Sequence, residues 1–196
     1  MRKIIVSEFL TLDGIMEDPG GAEGSAHGGW SFPFANEQYL AYKVEEIFSC
    51  DALLLGRVTY QGFAGAWPSR TDEHGFADRM NSLPKYVATT TLEHLAWNNS
   101  TSIKGNIAEE AFRLKQQPGK DILVAGSCQL VHMLLQHDLI DELRLMIHPI
   151  VIGNGKRLFK EGIPRQELRL IESQKFDTGV VVLTYEPGRR GSYSDL

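Results

Sequence analysis

This sequence has few of the features that secretion, membranes or nucleic acids demand. Only two cysteines occur among 196 residues. Cys50 and Cys128 each sit beside apolar stretches, with no Cys or His at the short spacing used by metal sites, so both read as buried thiols of a reducing compartment. No metal is expected. No apolar run approaches the ~20 residues of a membrane span. After Met1-Arg2-Lys3, the apolar start Ile4-Ile5-Val6 is interrupted by Ser7 and Glu8, well short of a signal sequence. Long Lys/Arg runs are also lacking, and a formal net charge of −5 with a pI near 5.7 gives no attraction toward phosphate backbones or anionic lipid. A cytoplasmic protein is expected, with neither nucleic acid nor membrane as partner.

Two familiar nucleotide motifs are absent as well. Gly153-Asn154-Gly155-Lys156 looks briefly like a phosphate loop, but the leading glycine would fall at Ile150, and Arg157 stands where that motif needs Ser or Thr. The closely spaced glycines of a standard dinucleotide fold should follow the first strand, where Phe9-Leu10-Thr11-Leu12 stands instead.

What is present is strand and helix in alternation. Aliphatic runs at Ile4 to Phe9, Ala52 to Leu55, Tyr86 to Thr89, Ile122 to Ala125 and Leu143 to Ile147 read as strands. Asn36 to Ser49 and Gln129 to Gln136 carry helical apolar spacing. Parallel neighbours need crossovers long enough to hold a helix, so the pattern predicts an α/β fold with a mostly parallel sheet flanked by helices. Leu168 to Phe176 and Val180 to Tyr185 flank Asp177-Thr178-Gly179, which predicts a C-terminal antiparallel hairpin and therefore a mixed sheet. A chain of this length suits one core burying roughly 70% of its unfolded surface. One domain over 1–187 is expected, with 188–196 as a flexible tail. The polar, glycine-rich segment from Pro19 to Gly29 is expected to be a lid.

The chemistry concentrates at strand ends. Asp51 to Leu55 runs into Gly56-Arg57-Val58-Thr59 at a helix start. Gly56 admits close approach of a ligand, free N–H groups point outward, Thr59 adds a hydroxyl and Arg57 a planar cation, a combination suited to phosphate. Ile122 to Ala125 repeats the arrangement with Gly126 and Ser127, and two such ends on one rim can grip one diphosphate. The third strand runs into Thr89-Thr90-Thr91, either a further row of hydroxyl donors or ordinary strand residues. Asp13 beside Gly14 is the candidate catalytic carboxylate, contacting substrate, or else a turn-forming aspartate. Tyr60, Phe63 and Trp67 either line a pocket or pack the core. Asp72-Glu73-His74 reads as a helix-start cluster, and the acidic residues of Asp138 to Glu142 as a turn before a strand.

Taken in order, Leu12-Asp13-Gly14, Trp30, Gly56-Arg57-Val58-Thr59, the hydroxyl row, Ala125-Gly126-Ser127, and Gly153-Asn154-Gly155 before Leu158-Phe159 resemble the dihydrofolate reductases and their relatives. The likeness covers most of the chain. Asp138 to Leu145, running on to His148-Pro149, is most similar to the reductase domain of the riboflavin-biosynthesis deaminase/reductase. The resemblance implies an NADPH-dependent reductase of the 5-amino-6-(5-phosphoribosylamino)uracil reductase type, reducing a small heterocyclic, imine or carbonyl substrate. It implies that Arg57 with Thr89 or Thr90 holds the adenosine 2′-phosphate, and that Thr59, Gly126 and Ser127 contact the diphosphate. Trp30 would close the substrate pocket, and a homodimer is implied too. One departure stands out: the carboxylic acid that holds the pterin five residues after the tryptophan is Ala35 here, leaving Glu37 as a nearby substitute. A noncatalytic NADP(H)-binding module and a divergent dihydrofolate reductase are the alternative readings.

Overall fold

Side-chain alternation along each strand sorts the apolar residues onto two faces of one sheet. In the computed structural model, which describes residues 1–163 and 165–188, eight strands run in the order β4-β3-β2-β5-β1-β6-β8-β7. They are β1 (Ile4–Thr11), β2 (Cys50–Gly56), β3 (Lys85–Ala88), β4 (Ser100–Ile103), β5 (Asp121–Val124), β6 (Glu142–His148), β7 (Leu168–Lys175) and β8 (Val181–Pro187). The first six pair in parallel, while β8 lies antiparallel to both β6 and β7. The mixed sheet and terminal hairpin thus agree with the sequence pattern. The tail residues 189–196 lie outside the described residues.

Five helices cover the sheet among the described residues: α1 (Glu37–Ser49), α2 (Arg57–Ala66), α3 (Phe76–Ser82), α4 (Ile107–Gln116) and α5 (Cys128–Gln136). On one face Ile4, Val6, Ala52, Leu54, Ile122 and Val124 pack with Ala111 and Leu114 of α4 and with Leu130, Val131 and Leu134 of α5. On the other, Ile5, Leu53, Leu55 and Leu123 meet Ile47 of α1, Tyr60 of α2 and Met80 of α3. Period-two burial on both faces is what a sheet covered on both sides requires. Phe63 and Trp67 pack against this second cluster, so these aromatics belong to the core.

Local chemistry explains the boundaries. Asn36 caps α1 by accepting the Tyr39 N–H at 2.9 Å, and Asp72 accepts the N–H groups of His74, Phe76 and Ala77 ahead of α3. Asp141 accepts the Ile4 N–H at 2.8 Å and pairs with Lys115 at 2.6 Å, so the acidic stretch before β6 serves the strand start. Cys50 is buried as expected, whereas Cys128 is only half-buried, because it opens α5 at the rim.

Candidate active site

The C-terminal ends of β1, β2, β3, β5 and β6 form one rim, since those strands are parallel. Gly56 closes β2 and is the N-cap of α2. Ser127 is the N-cap of α5, and its hydroxyl makes no capping bond. The two turns touch directly. A methyl group added to Gly56 would lie 1.9 Å from Ser127 Oγ and 2.8 Å from its Cβ, and one on Gly126 would come within 2.6 Å of Thr59 Oγ1. Gly126 also has φ +75°, a conformation that favours glycine. Two helix N-termini, each with unsatisfied N–H groups, are therefore held side by side.

Arg57 begins α2 and is exposed, donating to Gln61 Oε1 at 3.0 Å. Register pairs Gly56 with Ala88, so Arg57 and Thr89 leave adjacent strands at the same level. Thr89 is buried and its Oγ accepts the N–H groups of Thr91 and Leu92, while Thr90 is exposed beside it.

Asp13 follows β1 and is tied into the backbone. Its Oδ1 accepts from Thr11 Oγ1 at 2.6 Å and from the Ile152 N–H at 3.3 Å, and Oδ2 accepts from the Gly153 N–H at 2.8 Å. Arg157 donates to its carbonyl oxygen. The Thr11 hydroxyl first of all, joined by these backbone donors and opposed by burial, lowers the carboxyl to about 2. A group so acidic clamps the loop after β1 to residues 152–153, and it holds no proton to give at neutral pH.

The segment after Asp13 is wound around another aspartate. Asp18 accepts from the N–H groups of Glu23 and Ser25, and its carbonyl accepts from Gly21 and Gly29. A methyl on Gly28 would fall 2.3 Å from Asp18 Oδ2. The stretch from Pro19 to Gly29 is thus a folded loop, which delivers Trp30 to the site. Trp30 is buried, donates Nε1–H to the Glu17 carbonyl at 2.8 Å, and meets the His148 ring edge-on at 5.1 Å. Ala35 and Glu37 are both exposed, Glu37 on the first turn of α1.

Sequence reasoning passed over Glu8. It lies on the face of β1 turned toward α4 and α5, between Val6 and Leu10, and its Oε1 accepts the Gly126 N–H at 2.8 Å. Burial raises it to about 8, against the opposing pull of the Gly126 hydrogen bond and Lys43. From about pH 4.5 to about pH 8 the folded chain keeps a proton that the unfolded chain has lost, so stability falls as pH rises through that window. Glu8→Gln keeps an acceptor for Gly126 and removes the titration. Urea unfolding at the two ends of the window is expected to show the parent losing a few kcal/mol and Glu8→Gln losing almost none. Equal slopes for both proteins would mean that Glu8 ionises normally.

The match to known proteins follows the same geometry. The family model for the RibD C-terminal domain matches residues 2–182. The chain belongs to the RibD C-terminal domain family. Within reach of it is the uncharacterized protein YyaP of Bacillus subtilis, 31% identical over 187 residues and covering 94% of each chain. Among solved structures, a putative riboflavin biosynthesis protein from Shewanella superposes with a TM-score of 0.71 at 22% identity, over 95% of this chain and 99% of that one. Enterococcus faecalis dihydrofolate reductase, in complex with NADP(H), superposes with a TM-score of 0.61 at 13% identity, over 95% and 97%. The fold is therefore the dihydrofolate-reductase-like one. Among the described residues no helix is long and apolar enough to cross a membrane, and no group of three or more His, Cys, Asp or Glu is placed to hold a metal.

Proposed function

We propose that this member of the RibD C-terminal domain family is an NADPH-dependent reductase acting on a small planar heterocycle bearing a C=N or C=O bond, of the kind handled in riboflavin biosynthesis. The observation that carries this reading is the contact between the Gly56 and Gly126 turns, which sets two helix N-termini on one rim with Arg57 at its edge. A diphosphate suits those N–H groups, the spare Ser127 hydroxyl and Thr59, while an exposed guanidinium beside Thr90 suits a 2′-phosphate. When bound, the dinucleotide supplies the hydride.

The protein's share is alignment and exclusion of water. Gly56, Gly126 and Ser127 fix the diphosphate, Arg57 selects the phosphorylated ribose, and Trp30 closes over the reacting face. Against a folate substrate stand Ala35 at the position of the pterin acid and the exposure of Glu37, which leave no buried carboxylate there to hold a pterin.

NADPH and NADH titrations at two salt concentrations, with and without Arg57→Ala, test the cofactor reading. Hydrogen bonds to a charged group contribute about 1.5–3 kcal/mol, so Arg57→Ala is expected to weaken NADPH binding roughly 10- to 100-fold and leave NADH nearly unchanged. If neither dinucleotide binds the parent protein, the reductase reading fails. Binding without turnover of any heterocyclic, imine or carbonyl acceptor would favour the noncatalytic alternative.

A further inference from the structure

His148 ends β6 and lies in register with Thr11 of β1, on the same rim as the glycine turns. It is fully buried. Its Nδ1 lies 2.9 Å from the Met146 carbonyl oxygen and 3.3 Å from that of Leu10. Carbonyl oxygens only accept, so Nδ1 carries the ring proton and Nε2 is left as an acceptor. Nε2 has no hydrogen-bond partner. A buried acceptor left unmet costs about 1–3 kcal/mol, and such an exception calls for an explanation.

The surroundings of the ring supply one. Four aromatic side chains stand around it: Trp30 at 5.1 Å, Phe9 at 5.5 Å, Phe34 at 5.7 Å and Tyr39 at 6.0 Å between centroids. Phe9 and Tyr39 belong to β1 and α1, whereas Trp30 and Phe34 come from the segment between them. A cavity of about 90 Å³ adjoins the outer side of Trp30, lined also by Ile15, Glu17, His27 and Ile152. Burial keeps the imidazole neutral, lowering its affinity for a second proton. Lys43 sits over the outer Phe9 ring at 5.2 Å and is committed to Glu46 and Ser7.

From these observations we infer that His148 Nε2 is the polar anchor of the acceptor subsite, receiving a ring N–H from an uncharged planar heterocycle stacked among Phe9, Trp30, Phe34 and Tyr39. This rests on the reductase reading for its location and deepens it by naming the substrate chemistry. With Ala35 unable to pair with a cationic ring, the neutral histidine selects a neutral N–H donor instead. His148 is a binding and positioning residue, and it transfers no proton.

The test uses 5,6-diaminouracil and its 1,3-dimethyl counterpart, which lacks the ring N–H donors. Both are titrated with and without NADP⁺ by tryptophan fluorescence, and the His148 Nε2 resonance is followed by ¹⁵N NMR. The expected result is at least about tenfold tighter binding of the N–H probe, because a site built around an N–H donor rejects its analogue. The Nε2 resonance should move with that probe alone. His148→Phe, which keeps an aromatic ring in the cluster, is expected to lose about tenfold of the preference while retaining NADPH affinity. An Nε2 resonance that stays in place at saturation, or an undiminished preference in His148→Phe, overturns the assignment. If the variant does not fold, the resonance of the parent protein decides alone. Titration without dinucleotide keeps this outcome separate from that of Arg57→Ala.

Discussion

Adding one methyl group at Gly56 is expected to cost about 1–3 kcal/mol of stability and to lower kcat/KM for the proposed NADPH reaction by about a hundredfold. The backbone is not the reason, since Gly56 has φ −78° and ψ 162°, which any residue adopts. Contact is the reason. The new methyl would meet Ser127 at both Oγ and Cβ, and Ser127 opens α5, whose Leu130, Val131 and Leu134 are locked into the core. The helix cannot retreat without opening that core, so the strain appears as a separation of the two turns proposed to grip the diphosphate. Gly56→Ala combined with Ser127→Gly removes both colliding atoms and is expected to recover most of the stability, a coupling of about 0.5–3 kcal/mol for residues in direct contact. Recovery of NADPH affinity should be smaller, because the Ser127 hydroxyl is lost. Denaturant unfolding of the four proteins measures the first effect and dinucleotide titration the second. Simple additivity of the two changes would show that the turns move independently, and the paired grip would then lose its support.

The strands that carry this rim were legible because each is buried on both faces. Leu53-Leu54-Leu55 and Ile122-Leu123-Val124 have no polar residue to disguise them, and the glycines that follow mark their ends. β4 was not legible. Ser100-Thr101-Ser102-Ile103 is an edge strand that buries only Ile103, so it offers no run and almost no alternation. α4 was missed for a different reason: Ile107, Ala111 and Leu114 make a thin apolar seam within a charged helix, and only packing against the sheet gives that seam its meaning.

The site divides in the same way. Gly56, Gly126, Ser127 and Trp30 announce themselves through local type and order. Glu8 and His148 do not, because each depends on register. Glu8 reads as the polar interruption of an apolar run until β5 is laid beside β1 and Gly126 is brought over it. His148 reads as one histidine before a proline until pairing with β1 turns it beneath Trp30. Asp18 had a signal that went unused: an aspartate before Pro19-Gly20-Gly21 is suited to collecting the N–H groups of a turning loop.

A second large effect is expected at the charge cluster on the α1 face, where Lys43→Met should cost about 3–5 kcal/mol. Glu46 has a side chain only 1% exposed and is met by Lys43 and, at 3.3 Å, by Arg144. Burial alone would raise its carboxyl, yet Lys43, Arg144 and the Ser7 hydroxyl together hold it below the ordinary carboxylate range. The stability gained from that ionisation is present above the usual carboxylate range and is lost as pH falls through the depressed value. Lys43→Met removes the nearest counter-charge, so the variant is expected to unfold at a higher pH than the parent on acid titration. Arg144 cannot compensate fully, because it also pairs with Glu142 at 2.7 Å. Lys43→Met with Glu46→Leu removes the stranded charge and leaves the Arg144–Glu142 pair intact, so most of the loss should be recovered. Chemical denaturation at neutral and acidic pH separates the possibilities. A double variant as unstable as Lys43→Met alone would locate the cost in the lost contact of the ammonium with the Phe9 ring, and not in an unpaired buried carboxylate.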